Sequence, residues 1–471
     1  MSWVALYFVS EWVVRLGALF VLPARLPPAA ARAWLLLICV LPWPGLVLFL
    51  VLGRRALSRH RIELQQRLNA FLESPQAAQR VGGTSDAVVP APLAGIAQLA
   101  HALAEFPAVG GNRFELLPDY AAAHDRMLDD IRGAGHHVHL LTYIFAPDAT
   151  GDRFHEALRV AAARGVRCRV LLDQLGSGRR AGATLQRLRD AGVEAHLMMP
   201  SRLLSRQRSR LDLRNHRKIA VIDGRIGYIG SQNIVDAEVW KGHPNVELAA
   251  RVTGPLVHQL QVLFLADRLA EARTMLEDEE LFPPPADGGT ATAQLLASGP
   301  TYRCSNNLEV VVAAAYQART RIAMVTPYFV PPMPLLQALC SAGQRGVAVD
   351  LIVPRWGNKL LEALAQHSYY QELLDAGVRI HRYGPPFLHA KHMSVDDDLA
   401  IIGSTNLDIR SFLLDAEVVA LIYDRGVVRD VRRVEEKYLA RAEQVTANSW
   451  PQRPWVQRGG ENVCRLLDAL L

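Results

Sequence analysis

The sequence predicts an α/β protein: two tandem α/β sandwich modules related by a pseudo-twofold axis, preceded by an N-terminal transmembrane helical pair. Three observations predict it. Two long apolar runs open the chain, apolar strand-like segments then alternate with helical ones, and that alternation occurs twice with whole phrases repeated. Alternation of strands and helices covers a sheet with helices, and internal duplication dictates a repeated architecture. At roughly 150 residues per domain, the 471 residues suit about three units. Half of the residues are hydrophobic, 21% are charged and the mean hydropathy is +0.08, which excludes a disordered or fibrous chain. The net charge of +6 suits an anionic membrane surface or a phosphate-bearing substrate, and is too small to indicate a nucleic-acid partner. Five scattered cysteines with no C-x-x-C pair argue against a disulfide framework or zinc site and for a reducing compartment.

The first apolar run, Trp3 to Leu22, holds Glu11 and Arg15; the second, Trp34 to Leu52, is uncharged for 19 residues. The second has about the length that crosses a hydrocarbon core of ~30 Å, and Trp3 and Trp34 stand at run ends where interfacial anchors belong. A cleaved signal peptide fits poorly, because no basic stretch precedes the first run and a second run follows it. Pro42, Pro44 and Gly45 interrupt the second run, so a kinked or re-entrant hairpin is the alternative to two spans. Arg54, Arg55, Arg59 and Arg61 follow it, against Arg25 and Arg32 between the runs, which places the bulk of the chain and the N-terminus in the cytoplasm.

Four segments follow from this reading: a membrane-anchoring hairpin (1–55), a helical and Ala/Pro/Gly-rich connector (56–110) whose helix spans Ile62 to Leu72, a first module (111–290) and a second (291–471). In the first module Val138 to Phe145 reads as a buried strand, Arg153 to Arg164 as a helix and Val166 to Leu172 as the next strand. The second repeats the order with Ile322 to Tyr328, Leu335 to Arg345 and Val347 to Val353. Arg-Gly-Val recurs at 164 and 345, and Asp-Ala-Gly-Val at 190 and 375.

The duplication is sharpest in a polar motif. The first copy reads His216-Arg-Lys218-x4-Asp223 with Gly230-Ser231-Gln-Asn233 after it; the second reads His389-Ala-Lys391-x4-Asp396 with Gly403-Ser404-Thr-Asn406. The displacement from 216 to 389, 218 to 391, 223 to 396 and 233 to 406 is the same 173 residues. Only five of the 52 basic residues are lysine, and two of those occupy this slot. Histidine and lysine two apart on a strand share one face, so each copy offers an imidazole beside an ammonium. Two copies brought together suit a phosphodiester. The lysines, with Ser and Asn donors, stabilise the non-bridging oxygens. One histidine attacks phosphorus and the other protonates the departing alkoxide, with no metal or other cofactor needed.

The motif is that of the phospholipase D superfamily, and the membrane pair ahead of two modules resembles the bacterial cardiolipin synthases. Thr326-Pro-Tyr-Phe-Val-Pro331 and Asn406-Leu-Asp-x-Arg410-Ser411 are similar to that subfamily as well. The resemblance, which extends over nearly the whole chain, implies transfer of a phosphatidyl group between two phosphatidylglycerol molecules through a phosphohistidine, giving cardiolipin and glycerol at the bacterial inner membrane. It implies a catalytic set of His216, Lys218, Asp223, His389, Lys391 and Asp396. Phosphate contact then falls to Ser231, Asn233, Ser404 and Asn406. It also implies an acidic residue downstream of each motif that orients the motif's histidine: Glu247 for the first and Glu417 for the second. His216 is taken as the nucleophile and His389 as the acid/base.

Plainer readings stand beside these. Asp223 and Asp396 suit turn formation, as do the Ser and Asn residues. Glu247 and Glu417 could pair with surface arginines. The cluster Arg202, Arg206, Arg208, Arg210 and Arg214 is either a solvated helix face or a contact for anionic headgroups. His136, His137 and His139 carry no catalytic implication. Rival functions are a lipid hydrolase or nuclease, another phosphatidyltransferase, and a non-enzymatic scaffold that binds anionic lipid through its arginines.

Overall fold

The computed structural model describes residues 3–26, 28–53, 63–64, 87–200, 212–238, 243–276, 279–286, 289–302, 304–357 and 359–466. The chain divides into an N-terminal unit, Met1–Arg59, and a body made of His60–Pro200 and Asp212–Leu471.

In the N-terminal unit, α1 (Trp3–Val21) is followed by α2 (Pro28–Val40) and α3 (Pro42–Leu48). Among the described residues α1 is the one helix long and apolar enough to cross a membrane. The second run is not a single span. It breaks at Leu41, because Pro42 cannot donate to the preceding turn and instead starts a new helix. A Cβ added at Gly45 would lie 3.0 Å from Ile38 Cα, so a glycine permits α3 to lie close on α2. Glu11 and Arg15 pair at 3.4 Å, and Arg15 also donates to the Cys39 carbonyl at 3.1 Å, which partners both charges within the unit. Residues 54–62, with their arginines, lie outside the described residues, as does the expected helix Ile62 to Leu72 apart from Glu63 and Leu64.

The body opens with α4 (Ala94–Ala104), inside the stretch expected as a connector. Ile96, Ala97, Ala100 and Ala104 recur at helical spacing and are buried, which makes α4 a core helix. The first module contributes β1 (Val109–Leu117), β2 (His137–Thr142), β3 (Arg167–Asp173), β4 (Glu194–Met198), β5 (Ile219–Ile222), β6 (Ile226–Gly230), β7 (Asn245–Val246) and β8 (Ala249–Thr253). Its helices are α5 (Tyr120–Arg132), α6 (Ala149–Ala163), α7 (Ala181–Asp190) and α8 (Leu256–Ala272). The second contributes β9 (Ala291–Ser298), β10 (Arg321–Val325), β11 (Phe329–Val330), β12 (Ala348–Pro354), β13 (Arg379–Tyr383), β14 (Phe387–Leu388), β15 (His392–Val395), β16 (Leu399–Gly403), β17 (Leu407–Asp408), β18 (Glu417–Ile422) and β19 (Ala442–Val445). With them run α9 (Asn306–Gln317), α10 (Met333–Gln344), α11 (Leu360–Ser368), α12 (Tyr370–Asp375), α13 (Ile409–Leu413), α14 (Arg425–Leu439) and α15 (Trp455–Arg465).

Fifteen of these strands form one sheet, ordered β19-β13-β12-β10-β15-β16-β18-β9-β1-β8-β6-β5-β2-β3-β4. Read outward from the β9–β1 junction, the two halves repeat: β8-β6-β5-β2-β3-β4 on one side, β18-β16-β15-β10-β12-β13 on the other. The modules are therefore joined edge to edge through the antiparallel β1–β9 pair, where Val109 faces Ala293 and Asn112 faces Ala291 across a bulge. One hydrophobic cluster runs through both, from Ile219 and Leu248 to Ile322 and Val418. That continuity makes the body a single compact unit with two internal copies.

Burial reaches titratable groups. His392, fully buried on β15, is pushed down to about 3 by desolvation. It faces Glu435, 3.9 Å away, and the Tyr438 ring; Glu435 is itself pushed up to about 7 by burial and is neutral in acid. Between pH 6.5 and 5 the unfolded chain therefore takes up a proton that the folded chain refuses, which costs about 2 kcal/mol. His392→Ile removes this term, so thermal unfolding at pH 8 and pH 5 should show the variant losing about 2 kcal/mol less on acidification. Equal losses in the two proteins would remove His392 from the acid response.

Candidate active site

Both His-x-Lys segments lie just ahead of a strand rather than in it: His216 and Lys218 precede β5, and His389 and Lys391 precede β15. They remain extended because each is zipped to a segment of the other module. The His216 amide donates to the Ala416 carbonyl at 2.8 Å, beside the parallel bridge between Asn215 and Ala416. The His389 amide donates to the Val246 carbonyl at 2.8 Å, beside the parallel pairing of β14 with β7.

This zipper crosses the two halves. His216 Nδ1 is 2.8 Å from Glu417 Oε1, and His389 Nδ1 is 2.6 Å from Glu247 Oε1. Each imidazole is thus held by the carboxylate of the opposite module, which corrects the expectation that each motif supplies its own orienting acid. With Nδ1 engaged, Nε2 is the ring atom left for chemistry at both histidines. Lys218 donates to the His216 carbonyl, while Lys391 donates to the His389 carbonyl at 2.7 Å and lies 3.3 Å from both ring nitrogens of His389.

The four groups share one electrostatic neighbourhood. Burial lowers His216 well below the usual imidazole range, and Lys218, Lys391 and His389 all push the same way. Burial also lowers His389; Glu247 opposes that, whereas Lys391 and Lys218 add to it. The buried ammoniums are pushed down to about 7 at Lys218 and about 8 at Lys391. The two carboxyls differ. Burial would raise Glu247, yet His389 and Lys391 hold it below the ordinary value. Glu417 is pushed up to about 7 by burial, which Lys218 and Ser404 only partly offset. The two halves are alike in sequence but not in charge.

The expected phosphate ligands are placed otherwise. Ser404 donates to Glu417, and its oxygen accepts the Val418 amide at 3.1 Å. Ser231 bonds the Leu248 carbonyl at 3.2 Å and accepts its amide at 3.1 Å. Both serines are fully buried, so they support the glutamate-bearing segments instead of facing a ligand. The glycines before them explain how: an added Cβ would fall 2.5 Å from the Leu248 oxygen at Gly230 and 2.2 Å from the Val418 oxygen at Gly403. Only glycine lets these strands approach so closely. Asn233 accepts the Ile144 amide at 3.2 Å, a structural use. Asn406 differs in having a buried amide oxygen with no hydrogen-bond partner among the described residues.

Asp223 and Asp396 stand beyond the far ends of β5 and β15 in left-handed turns, with φ of 52° and 46°. Asp223 accepts the amides of Gly135, His136 and His137, and Asp396 those of Arg319, Thr320 and Arg321. Each thereby ties the turn after its strand to the start of β2 or β10, away from the imidazoles. This placement corrects their inclusion in a catalytic set.

Three participants escaped the sequence reading. The Tyr143 ring meets His216 edge-on, with centroids 4.8 Å apart, and Lys218 Nζ lies 5.4 Å from that ring's centre. Arg217, in the slot that Ala390 fills in the second copy, binds both oxygens of Asp267 at 2.7 Å and the carbonyls of Ser298 (3.0 Å) and Glu417 (3.1 Å). It ties α8 of the first module to β9 and β18 of the second. Lys359 lies 5.0 Å from the centre of the Tyr328 ring, and its charge adds to those that lower His216. The basic cluster before the first motif is different in kind. Arg202 to Arg210 lie outside the described residues, and Arg214 is buried, 3.6 Å from Asp173. Arg214 is therefore a core residue, unavailable to headgroups.

Known proteins share this architecture. The model of the family described as cardiolipin synthase, PLD-like domain, matches residues 127–268 and 311–438, more than half of the chain in two copies. Cardiolipin synthase A of Escherichia coli O1:K1 and that of strain K12 / DH10B are each 32% identical over 488 aligned residues, covering 100% of this chain and 98% of the relative. Among solved structures, phosphatidylserine synthase of Haemophilus influenzae Rd KW20 superposes with a TM-score of 0.60 at 16% identity, over 76% of this chain and 95% of that one. Polyphosphate kinase of Porphyromonas gingivalis superposes at 0.50 and 16% identity, over 80% and 54%, a likeness of fold. The doubled motif, the doubled sheet and a full-length relative converge: the chain belongs to the cardiolipin synthase family of phospholipase D-like proteins.

Proposed function

We propose that the chain joins two phosphatidylglycerol molecules into cardiolipin and glycerol by double displacement at phosphorus. The observation that carries this reading is the crossed His216–Glu417 and His389–Glu247 pairing, which gives two imidazoles and two buried ammoniums one neighbourhood. His216 Nε2 attacks phosphorus and the bond to the terminal glycerol oxygen breaks. His389 gives that oxygen its proton, so glycerol leaves and a phosphatidyl-histidine remains. A hydroxyl of a second phosphatidylglycerol then loses its proton to His389 and displaces His216. The charge asymmetry supports the order of roles. Glu247, held ionised, favours a proton on His389, whereas Glu417 is raised and His216 is the more strongly neutral ring, as a nucleophile must be. An arriving phosphodiester anion strengthens the hold of both lysines and of His389 on their protons.

Asp223 and Asp396 belong to the scaffold of this site. The N-terminal unit serves as anchor in the bacterial inner membrane, with the body on the cytoplasmic side. Anchoring holds the site at high effective concentration of lipid, which favours this transferase over a nuclease.

The test is purified protein with phosphatidylglycerol alone: one glycerol should appear per cardiolipin formed. Phosphatidic acid in place of cardiolipin would mean that water is the acceptor. The lysines also predict a pH dependence. Their depressed values mean that the free site loses its cations as pH rises past 7 to 8. Phosphate binding needs the protonated form, so kcat/KM should fall at least about tenfold from pH 7 to pH 9. A flat profile would remove the lysines from substrate capture.

A further inference from the structure

Helix α15 is docked by its polar side. Glu461, 1% exposed, receives Arg453 at 2.7 Å and Gln457 at 3.1 Å and lies 3.5 Å from His367 of α11. Arg465 lies 4.3 Å from the centre of the Tyr369 ring and 3.3 Å from Glu372. The apolar side faces outward: Trp455 and Leu466 are each 82% exposed, and Val456 and Val463 are exposed between them. A Cβ added at Gly459 or Gly460 would meet nothing within 4 Å, so this whole side is open. A helix of a water-soluble surface has the opposite arrangement, its apolar stripe inward.

α15 lies along α11, whose first turn shows a second apolar set in Leu360 (73% exposed) and Leu361, with exposed Trp356 just before it. Between them stands Lys359, the residue beside Tyr328 whose charge reaches His216. This second apolar set therefore adjoins a cation whose charge acts on His216. Exposed Arg458 and Lys359, the latter paired with Glu362 at 2.7 Å, border these apolar residues, and the sequence beyond α15 adds Leu467, Leu470 and Leu471.

We propose that α15 and the Trp356–Leu361 segment form a monolayer-docking surface. The apolar side chains enter the headgroup–acyl boundary of an anionic bilayer, and Lys359 is brought to the phosphate level where the lipid enters the site. Tryptophan at the rim, aliphatic residues behind it and flanking cations are the composition that binds such an interface. The inference rests on the reading of the substrate as a membrane phospholipid. In an anchored protein docking is intramolecular, so a modest apolar area suffices.

The test uses the full chain in phosphatidylglycerol-containing vesicles, with Cys39, Cys304 and Cys340 replaced by serine. A fluorophore on Gly459→Cys should be quenched by nitroxide-bearing lipids more strongly than one on Gly182→Cys, an exposed position on α7. Quenching at 459 no stronger than at 182 overturns the proposal, whatever the enzyme's reaction. In parallel, Trp455→Glu with Val456→Glu should lower turnover of long-chain phosphatidylglycerol in bilayers about tenfold and leave turnover of monomeric short-chain phosphatidylglycerol within about twofold. Equal loss on both substrates, or a change of oligomeric state in place of the bilayer-specific loss, contradicts a lipid surface as the occupant.

Discussion

Alanine at either His216 or His389 should lower cardiolipin formation by at least about 10⁴-fold, because members of a concerted catalytic group are lost together. The two variants should nonetheless differ in what they retain. His389→Ala lacks the proton donor for an alkoxide leaving group, so a phosphatidyl ester with an acidic phenol leaving group should restore its first half-reaction. Release of one phenol per protein followed by arrest is the expected trace, since no base remains to activate the second lipid. His216→Ala should give no such burst with any leaving group. Rapid burst kinetics check both, and a burst from His216→Ala with none from His389→Ala would exchange the roles. The crossed carboxylates make the experiment informative: Glu247 and Glu417 leave each remaining imidazole oriented when the other is removed.

Arg217→Ala should cost about 3–5 kcal/mol of stability, the effect expected when one partner of a buried ion pair is deleted. Arg217 is 4% exposed, and its guanidinium satisfies both Asp267 oxygens together with the carbonyls of Ser298 and Glu417. Its removal strands those acceptors at the seam between the modules, so the loss should appear in thermal unfolding of the whole body. Arg217→Met combined with Asp267→Leu should recover part of it, because no uncompensated charge is left while the Ser298 and Glu417 carbonyls still lack this donor. A single variant as stable as the parent would show that the seam is held without this pair.

Much of the fold was legible. Strands and helices expected at Val138, Arg153, Val166, Ile322, Leu335 and Val347 fall within a few residues of β2, α6, β3, β10, α10 and β12. The 173-residue repeat carries through to the strand starts, Ile219 to His392 and Ile226 to Leu399. It fails between Glu247 and Glu417, whose separation is three residues shorter. What duplication could not tell is which copy each residue meets. The crossed pairing depends on contacts between positions 142 and 201 residues apart, set by the β14–β7 pair and the Asn215–Ala416 bridge. Likewise the sequence shows Arg217 only as a difference from Ala390, and Arg214 only as one of a basic cluster, because Asp267 and Asp173 reach them only through the folded sheet. Ser231 and Ser404 have a composition that suits both phosphate and structure, and only the approach of Leu248 and Val418 separates the two uses.

The claim on which the account rests is that His216 becomes covalently attached to phosphorus while His389 moves the protons. Acid-labile, base-stable adducts can be collected by alkaline quenching during turnover of phosphatidylglycerol labelled at its phosphate, followed by peptide mapping. The account predicts label on the peptide carrying His216, accumulating in His389→Ala when the activated lipid is supplied. Label on His389 in the otherwise intact protein would contradict it.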